Sequence, residues 1–467
     1  MELNIQKKLI QWILQPLASL MGRFSEKKRN ILFVAAGLVL FFQNFLHCAG
    51  HLSSVRYLVI FTIGCLMFGL MILAVMPSEI QPVRFDKLLI IPWAIVTLFM
   101  LIAGITKSVD YLTNAILMLV AFPVFYIIAE DFHRILHLLF RTVRISFYIF
   151  LLISFLFFPI TEQKYSSFFT NVNELSFYLS LVFCCTLIEL LALKKRCVLF
   201  FSNLASAGIS AALVYYTNSR SGLLAVFVMF LFTIFLVMFI DKKGFFKTFF
   251  QFFLPVILSI AVFIPSTIYI FQIPSTISQA VTQPNQQPQP DQELQPSQEP
   301  QPGQTPQPAP PTVSDVLEKV QETHDLKLST GGKNVNNFFT GRIAIWTAFV
   351  EHLSFWGHTV EERFYIEERK SENSTAHMTI LQYAYSYGIL AGVAYLTFNL
   401  TAGVKSIRYA LKRPKDRYAL TPFAVSVTFG ALSLFSSLIS PFNYIIVFYY
   451  YLVQVPLMRR ECSHYEP

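Results

Sequence analysis

The chain has 467 residues, of which 54% are hydrophobic and only 13% are charged, and its mean hydropathy is +0.53. This composition excludes a soluble globular protein with a charged surface and is typical of a chain that crosses a membrane several times. The formal net charge of +9 comes from Lys and Arg residues between the apolar stretches. It therefore indicates membrane orientation and contact with anionic lipids, and no nucleic acid partner is expected.

The apolar stretches predict an all-α, polytopic integral membrane protein with about 12 transmembrane helices. A hydrocarbon core about 30 Å thick is crossed by about 20 apolar residues of helix. The stretches are continuous and lack the two-residue period of membrane β-strands. The predicted spans cover residues 30–48, 56–76, 87–105, 111–129, 143–160, 173–193, 197–216, 221–240, 250–272, 377–399, 418–438 and 443–458.

The basic residues predict the orientation of these spans. Most of the 36 Lys and Arg residues lie in connections that the layout places on one side of the membrane, as the positive-inside rule requires of the cytoplasmic side. These connections are residues 7–29, 84–87, 134–144, 194–196, 242–247, 405–417 and 459–460. Both termini are therefore expected in the cytoplasm, with residues 1–29 as an amphipathic helix on the membrane surface and residues 459–467 as a tail.

A hydrophilic stretch of about a hundred residues, 273–376, separates the transmembrane helices of residues 30–272 from those of residues 377–458, and is expected outside the cell. Residues 282–312 are Gln/Pro-rich and are predicted to be disordered and dispensable for activity. Residues 313–376 are predicted to form a helical cap, with helices at 314–328 and 340–353. The second helix would begin at Thr340 and bury the apolar face Ile343, Trp346, Phe349 and Val350.

Two arginines are candidates for chemistry at the outer membrane edge. Arg220 lies in a turn of a few residues between two spans, with Asn218 and Ser221 as accessory candidates, and a guanidinium there requires a partner. Arg342 opens the second cap helix, where a positive charge is unfavourable unless an anion also binds, so a phosphate site is indicated. The alternatives are a snorkelling interfacial arginine at 220 and a solvated helix arginine at 342.

Histidine and acidic residues supply candidates for proton transfer. His377 lies where the outer stretch re-enters the membrane and could equally be a satisfied interfacial histidine. His358, after Gly357, either lines the site or caps a turn. A cluster of carboxylates offers a rival base, although its interspersed Arg and Lys residues favour a solvated surface. The cluster comprises Glu361, Glu362, Glu367 and Glu368. The six cysteines show no metal-ligand spacing, so no metal and no cofactor are expected.

The order of these motifs resembles the O-antigen ligase and O-antigen polymerase superfamily of bacterial envelopes. The motifs are Asn-x-Arg-Ser-Gly-Leu-Leu at 218–224, Gly-Arg-x-x-x-Trp at 341–346, Gly-His-Thr at 357–359 and Ala-His-x-x-x-Leu-Gln at 376–382, followed by Gly388 and Gly392. Asn173-Glu174-Leu175 also opens a span, and one large external loop lies in the C-terminal part of the chain. Met378 and Ser386 depart from the family pattern, which often has Asn and an acidic residue there, so a divergent member is indicated.

The resemblance implies an inverting, metal-independent glycosyltransferase of the bacterial cytoplasmic membrane that works on its outer face. Its donor would be a polyprenyl-diphosphate-linked glycan, and its acceptor a glycan or lipid hydroxyl. Arg220 and Arg342 would hold the diphosphate, and His377 would be the catalytic base or would orient the acceptor. Partners implied are membrane lipids, a flippase and a chain-length regulator, in a pathway that makes capsule or exopolysaccharide. Ligase and polymerase remain open alternatives.

Two other function classes fit parts of the sequence. A secondary transporter or flippase of envelope components commonly has twelve spans with both ends inside, but it predicts related halves and charged residues at mid-membrane. The spans contain few ionisable residues, of which Glu189 is one, and no internal repeat is evident. An assembly scaffold would use the Gln/Pro-rich segment to recruit partners. Neither alternative accounts for Arg220, Arg342 and His377 at one membrane edge.

Overall fold

The computed structural model describes residues 2–50, 57–160, 164–193, 197–282, 342–359, 362–366, 371–373 and 375–460. The Gln/Pro-rich segment, the predicted helix at 314–328 and Thr340 lie outside the described residues. The helices are α1 (Glu2–Leu9, a π-helical turn Ile10–Leu14 and Gln15–Gly22), α2 (Glu26–Cys48), α3 (Tyr57–Val75), α4 (Lys87–Thr106), α5 (Val109–Ile128), α6 (Phe132–Phe157), α7 (Val172–Ala192), α8 (Val198–Thr217), α9 (Arg220–Ile240), α10 (Phe245–Thr248, a π-helical turn Phe249–Phe253 and Leu254–Thr282), α11 (Arg342–Glu351), α12 (Thr379–Tyr387), α13 (Ile389–Lys412), α14 (Thr421–Ser433), α15 (Ile445–Leu452) and α16 (Val455–Met458). A short antiparallel hairpin, β1 (Phe364–Ile366) with β2 (Ser371–Asn373), lies between α11 and α12.

The predicted polytopic helical membrane protein is confirmed. Within the described residues, eight helices are long and apolar enough to cross a membrane, namely α2 and α4 to α10. The shorter α3 has an apolar stretch over Val59–Val75. The main difference in this part is that α6 begins at Phe132, well before residue 143. The Asp131 carboxylate accepts a hydrogen bond from the Arg134 amide and so caps a basic first turn that the apolar window did not include.

The last three predicted spans are broken into shorter pieces. The predicted span 377–399 is divided into α12 and α13 at Gly388, whose φ of 108° is accessible to glycine and strained for other residues. The predicted span 418–438 is reduced to α14 after a 3₁₀ turn, Arg417–Leu420, and the predicted span 443–458 to α15 and α16. The count of twelve spans therefore stays a prediction, because α12, α14, α15 and α16 are too short to cross a membrane alone, and α13, although 24 residues long, is not among the helices that are both long and apolar enough.

Helix α7 lies at the centre of the bundle. Within its most apolar stretch of 18 residues, 94% is buried. The helix packs against α6, α8, α9 and α14. A helix that is apolar all round is buried on every side, which is why this span reads as continuous hydrophobic sequence. Aromatic rings fill the space between α2, α6 and α7, where the ring of Tyr178 lies 4.9 Å from that of Phe45 and 5.5 Å from that of Phe150.

The connections that are rich in Lys and Arg lie together at one end of the bundle, here called the basic end, where ion pairs join them to neighbouring elements. The ion pairs join the beginning of α2 to that of α6, the beginning of α4 to α13, and the connection after α13 both to the connection after α9 and to α6. The pairs are Glu26 with Arg134 at 3.5 Å, Asp86 with Lys405 at 2.6 Å, Asp241 with Arg417 at 3.0 Å and His133 with Asp416 at 3.1 Å. The Arg460 amide also donates to the Arg84 carbonyl oxygen at 2.8 Å. The opposite end of the bundle, the site end, carries the turn before α9, the cap and the segment between α14 and α15.

Candidate active site

The first turn of α9 is fixed against the first turn of α7 by a group of small polar side chains. Asn218 has a left-handed backbone (φ 54°) that ends α8, and Ser219 caps α9 by accepting from the Gly222 amide. Ser219 Oγ donates to Asn173 Oδ1 at 2.7 Å and lies 3.0 Å from Ser176 Oγ. The side chain of Arg220, the first residue of α9, is exposed at this end of the bundle.

The packing around Gly222 explains why this turn is tight. A Cβ atom at Gly222 would lie 2.5 Å from Ser176 Cβ, so only glycine lets α9 approach α7 this closely. Ser221, the other accessory candidate, has its hydroxyl 3.1 Å from Ser219 Oγ. Asn218 and Ser221 thus lie on either side of the hydrogen-bonded turn that carries Arg220.

Arg342 lies at the beginning of α11, with its guanidinium carbon 5.5 Å from the centroid of the Phe435 ring. This distance is within the range of a cation–π interaction. A guanidinium can stack its face on an aromatic ring while its N–H donors point outwards in its own plane. Phe435 therefore orients Arg342, and sequence reasoning did not identify it.

Helix α11 is held on α12 by a small apolar cluster. Ala344, Ile345 and Phe349 are buried against Ala376, Leu381 and Tyr385, and the rings of Phe349 and Tyr385 are 4.7 Å apart. The predicted face was right for Phe349 and wrong for Val350, which is exposed. The prediction followed the large residues, whereas the small side chains of Ala344 and Ala348 are what let α11 approach its neighbour closely.

His377 occupies a strained turn directly before α12. Its φ is 50°, a left-handed conformation that is uncommon for a residue with a Cβ atom and is often found at functional sites. The side chain is half-buried, and Nε2 lies 3.5 Å from Thr375 Oγ1. The Ala376 amide donates to Gln382 Oε1 at 2.7 Å, which ties the turn to α12.

The segment 434–444, between α14 and α15, links the candidate residues. Beside Phe435, it accepts a hydrogen bond from Thr379 Oγ1 at the Ser436 carbonyl (2.7 Å), and the Leu438 amide donates to Thr379 Oγ1 at 3.0 Å. At its other end, the ring of Tyr444 lies 6.0 Å from that of Phe177, one helical turn beyond Asn173. The segment therefore extends from the neighbourhood of Arg342 and His377 to the first turn of α7, on which Arg220 is positioned.

Sequence reasoning missed the 434–444 segment because it assigned most of the region to spans. The signal was present in Phe-Ser-Ser-Leu-Ile-Ser-Pro-Phe-Asn at 435–443, where three serines and Pro441 disfavour a continuous helix. Because the flanking residues are apolar, the mean hydropathy of this region stays high despite the serines and the proline, and it therefore suggests continuous spans.

His358 is a structural residue of the cap. Its Nδ1 lies 2.5 Å from Glu362 Oε2, and its Nε2 lies 2.6 Å from the His352 carbonyl oxygen. Both partners are acceptors, so the ring satisfies both only when both nitrogens carry a proton. The ring also stacks on Tyr385 at 4.3 Å. This geometry favours the turn-capping interpretation over a direct part in proton transfer.

Glu362, the described member of the acidic cluster, is a poor candidate for the base. The Thr359 amide, hydrogen-bonded to its carboxylate, holds the pKa of Glu362 below its usual range. Partial burial acts in the opposite direction, while His358 and the Thr359 hydroxyl lower the pKa further. A carboxylate engaged by three donors has little affinity for another proton. Glu361, Glu367 and Glu368 lie outside the described residues.

Two glycines allow the loop after α11, residues 352–359, to pack closely on the beginning of α13; this loop is called the cap loop below. Gly357 (φ 75°) and Gly388 (φ 108°) face each other, and a Cβ atom at Gly388 would clash with the Phe355 carbonyl oxygen. Beside them, Lys107 Nζ donates to the Trp356 carbonyl oxygen at 2.5 Å. Burial lowers the pKa of Lys107, and the nearby Glu362 carboxylate partly opposes this effect.

Comparison with known proteins finds one family similarity. Residues 205–396 match the family model described as O-antigen ligase. The match begins in α8 and ends in α13, and it includes Arg220, Arg342, His358 and His377. A search of curated proteins finds no match. The family match lies within a bundle of membrane-length helices, and it supports an assignment of this membrane protein to the O-antigen ligase and polymerase family.

Proposed function

We propose that this protein is a bacterial inner-membrane glycosyltransferase that moves a glycan from a polyprenyl-diphosphate lipid to an acceptor hydroxyl. The observation that carries the proposal is the 434–444 segment, which contacts Arg342 through Phe435 and the helix of His377 through Thr379, inside an O-antigen ligase domain. The segment continues to the first turn of α7, beside the turn that holds Arg220.

The two arginines bind the diphosphate of the donor. When the glycosidic bond breaks, the leaving diphosphate gains negative charge, and a guanidinium can meet two phosphate oxygens with parallel N–H donors. Arg220 is held by the capped first turn of α9 and Arg342 by the Phe435 ring. Such preorganised donors stabilise the transition state without reorganising during the reaction.

His377 removes the proton of the attacking acceptor hydroxyl. Imidazole titrates near neutral pH and is the most common general base for such a step. As the acceptor oxygen bonds to the anomeric carbon, the bond to the diphosphate oxygen breaks on the opposite face and the anomeric configuration inverts. The strained turn at 375–379 fixes the direction of the imidazole, and its ties to Gln382 and Ser436 keep that direction.

The site end lies on the extracytoplasmic face of the cytoplasmic membrane in this proposal. The basic connections lie together at the opposite end of the bundle, and basic connections are retained in the cytoplasm. Both described ends of the chain, α1 and the residues after α16, are also on the basic side, where Arg460 contacts Arg84. The polyprenyl tail of the donor then lies in the outer leaflet.

The test is transfer from purified lipid-linked repeat units by the reconstituted protein. Arg220→Ala, Arg342→Ala and His377→Ala are each expected to lower the rate by about 100-fold or more, because each removes a group that acts on developing charge or on the transferred proton. Arg408→Ala is the matched control, since Arg408 is an exposed arginine on α13 within its basic, C-terminal half. Full activity in all three site variants would refute the proposal. Growth of the lipid-linked chain without an added acceptor would identify a polymerase.

A further inference from the structure

Three buried oxygen atoms, on α2, on α7 and at the end of the 434–444 segment, have no hydrogen-bond partner among the described residues. They are Gln43 Oε1 on α2, Glu174 Oε2 on α7 and Asn443 Oδ1 on the segment itself. A buried polar atom without a partner is uncommon, because desolvation is not compensated. Three such atoms at one corner of the bundle indicate a ligand that the protein meets during its function.

The contacts of α2 place Gln43 and Asn443 together. Gln43 is 6% exposed, and its Nε2 donates to the Ile60 carbonyl oxygen at 2.9 Å, which fixes the amide so that Oε1 is the unpaired atom. The next residue, Asn44, donates from Nδ2 to the Asn443 carbonyl oxygen at 2.5 Å. Phe442 lies against Gly64, one helical turn beyond Ile60 on α3.

Glu174 joins this corner through the last turn of α2. Its side chain is hydrogen-bonded to the thiol of Cys48, which lies one helical turn beyond Asn44. Glu174 also follows Asn173, whose Oδ1 accepts from Ser219 in the turn that holds Arg220. The corner is therefore adjacent to the proposed diphosphate site.

The chemistry of the three atoms limits the ligand. Carboxylate and amide oxygens accept hydrogen bonds, so the ligand must supply donors. The buried Nδ1 atom of His47, one helical turn beyond Gln43 on α2, also has no hydrogen-bond partner among the described residues and can act as a donor or an acceptor. Ionised phosphate supplies no donors and belongs with the arginines, whereas a sugar presents several hydroxyls. A uronate would be repelled by Glu174. We infer that Gln43, Glu174 and Asn443 form a subsite for the hydroxyls of an uncharged sugar of the acceptor.

This inference rests on the proposed transferase function, and its experiment separates the two. Gln43→Leu, Glu174→Gln and Asn443→Ala are each expected to raise the KM for the acceptor by about tenfold, the effect of about one lost hydrogen bond, with the KM for the donor unchanged. Gln454→Leu is the matched control. Gln454 is also fully buried with an unpaired Oε1, but it lies next to α16 at the basic end and donates to Ser426.

Sugar binding is measured separately in an Arg220→Ala background, where transfer is not required. A neutral hexose disaccharide is expected to raise the melting temperature, a disaccharide with a hexuronate is expected not to, and Asn443→Ala is expected to abolish the shift. Asn443 lies outside the helices, so this variant carries the test if Gln43→Leu does not insert. Unchanged acceptor KM with an unchanged neutral-sugar shift would overturn the subsite, and would mean that internal water satisfies these oxygens. If the wild-type protein transfers no glycan but the neutral-sugar shift is still observed, that result would count against the proposed reaction and leave the subsite standing.

Discussion

Ser219 Oγ donates to Asn173 Oδ1 at 2.7 Å, and this single hydrogen bond joins the first turns of α9 and α7 directly beside Arg220. Its importance follows from the position of Arg220. A guanidinium at the end of a membrane helix has many accessible rotamers, and a fixed backbone reduces the range of positions that it can reach.

We therefore expect Ser219→Ala to reduce transfer by about tenfold and to destabilise the protein by about 1 kcal/mol through loss of the helix cap. Ser108→Ala is the control, because Ser108 caps α5 in the same way by accepting from the Asp110 amide. The control should lose similar stability but keep its rate. Equal losses of rate in both variants would show that the effect of Ser219 is only structural.

Gly388→Ala should displace the cap loop. The residue has a φ of 108°, and a Cβ atom there would meet the Phe355 carbonyl oxygen, so we expect a loss of about 2 kcal/mol or more together with most of the activity. Gly403→Ala on the same helix is the control, since its added Cβ would meet nothing within 4 Å and alanine favours the helix. Melting temperatures of the two variants in one detergent decide the question, and a stable, active Gly388→Ala protein would contradict the placement of the loop.

Glu362 should make the cap sensitive to acid. Its pKa is lowered in the folded protein, so its stabilising effect is present above the ordinary glutamate pKa of about 4.3 and is lost as the pH falls through the lower folded value. Glu362→Gln should therefore melt at a lower temperature than wild type at pH 6, and the difference should shrink towards pH 3. Glu351→Gln, at the exposed end of α11, is the control variant measured in the same titration. A constant difference for Glu362→Gln across the titration would argue against the Thr359 and His358 contacts.

The buried pair Arg144 and Glu189 should affect stability without affecting chemistry. Arg144 Nη1 lies 2.8 Å from Glu189 Oε2, and Asn203 Nδ2 donates to the same oxygen at 3.0 Å. Arg144→Met leaves a buried carboxylate with the Asn203 hydrogen bond but without a compensating positive charge and should cost about 3–5 kcal/mol, whereas the double variant with Glu189→Met should recover much of that loss.

The same pair distinguishes a transferase from a transporter. Glu189 is near the C-terminal end of α7, whereas Asn173 and the proposed site are at its beginning. The Arg144→Met, Glu189→Met double variant, once folded, should therefore transfer glycan at nearly the wild-type rate per molecule. A transporter that used this intramembrane pair would lose its activity instead, and such a loss would favour the alternative function.

The helical membrane class, most spans before residue 273 and the separate candidate residues could all be predicted from the sequence. Continuous apolar stretches determine membrane helices because unpaired backbone groups are too costly in lipid. The pieces after residue 377 could not be predicted in the same way. Their breaks at Gly388 and at residues 434–444 depend on packing against the cap and α2, and an apolar window contains no information about such contacts.

The sequence alone determined that this chain is a helical membrane protein, and the order of its motifs, with Arg220, Arg342 and His377, indicated the O-antigen ligase and polymerase family. Only the tertiary structure decided which residues join the candidates. Phe435 contacts Arg342, Ser436 holds the helix of His377, and Ser219 and Asn173 hold the turn of Arg220. It also decided that His358 is engaged at both nitrogens. The physical reason is that these contacts join residues far apart in the chain, and neither hydropathy nor local spacing specifies which distant side chains meet.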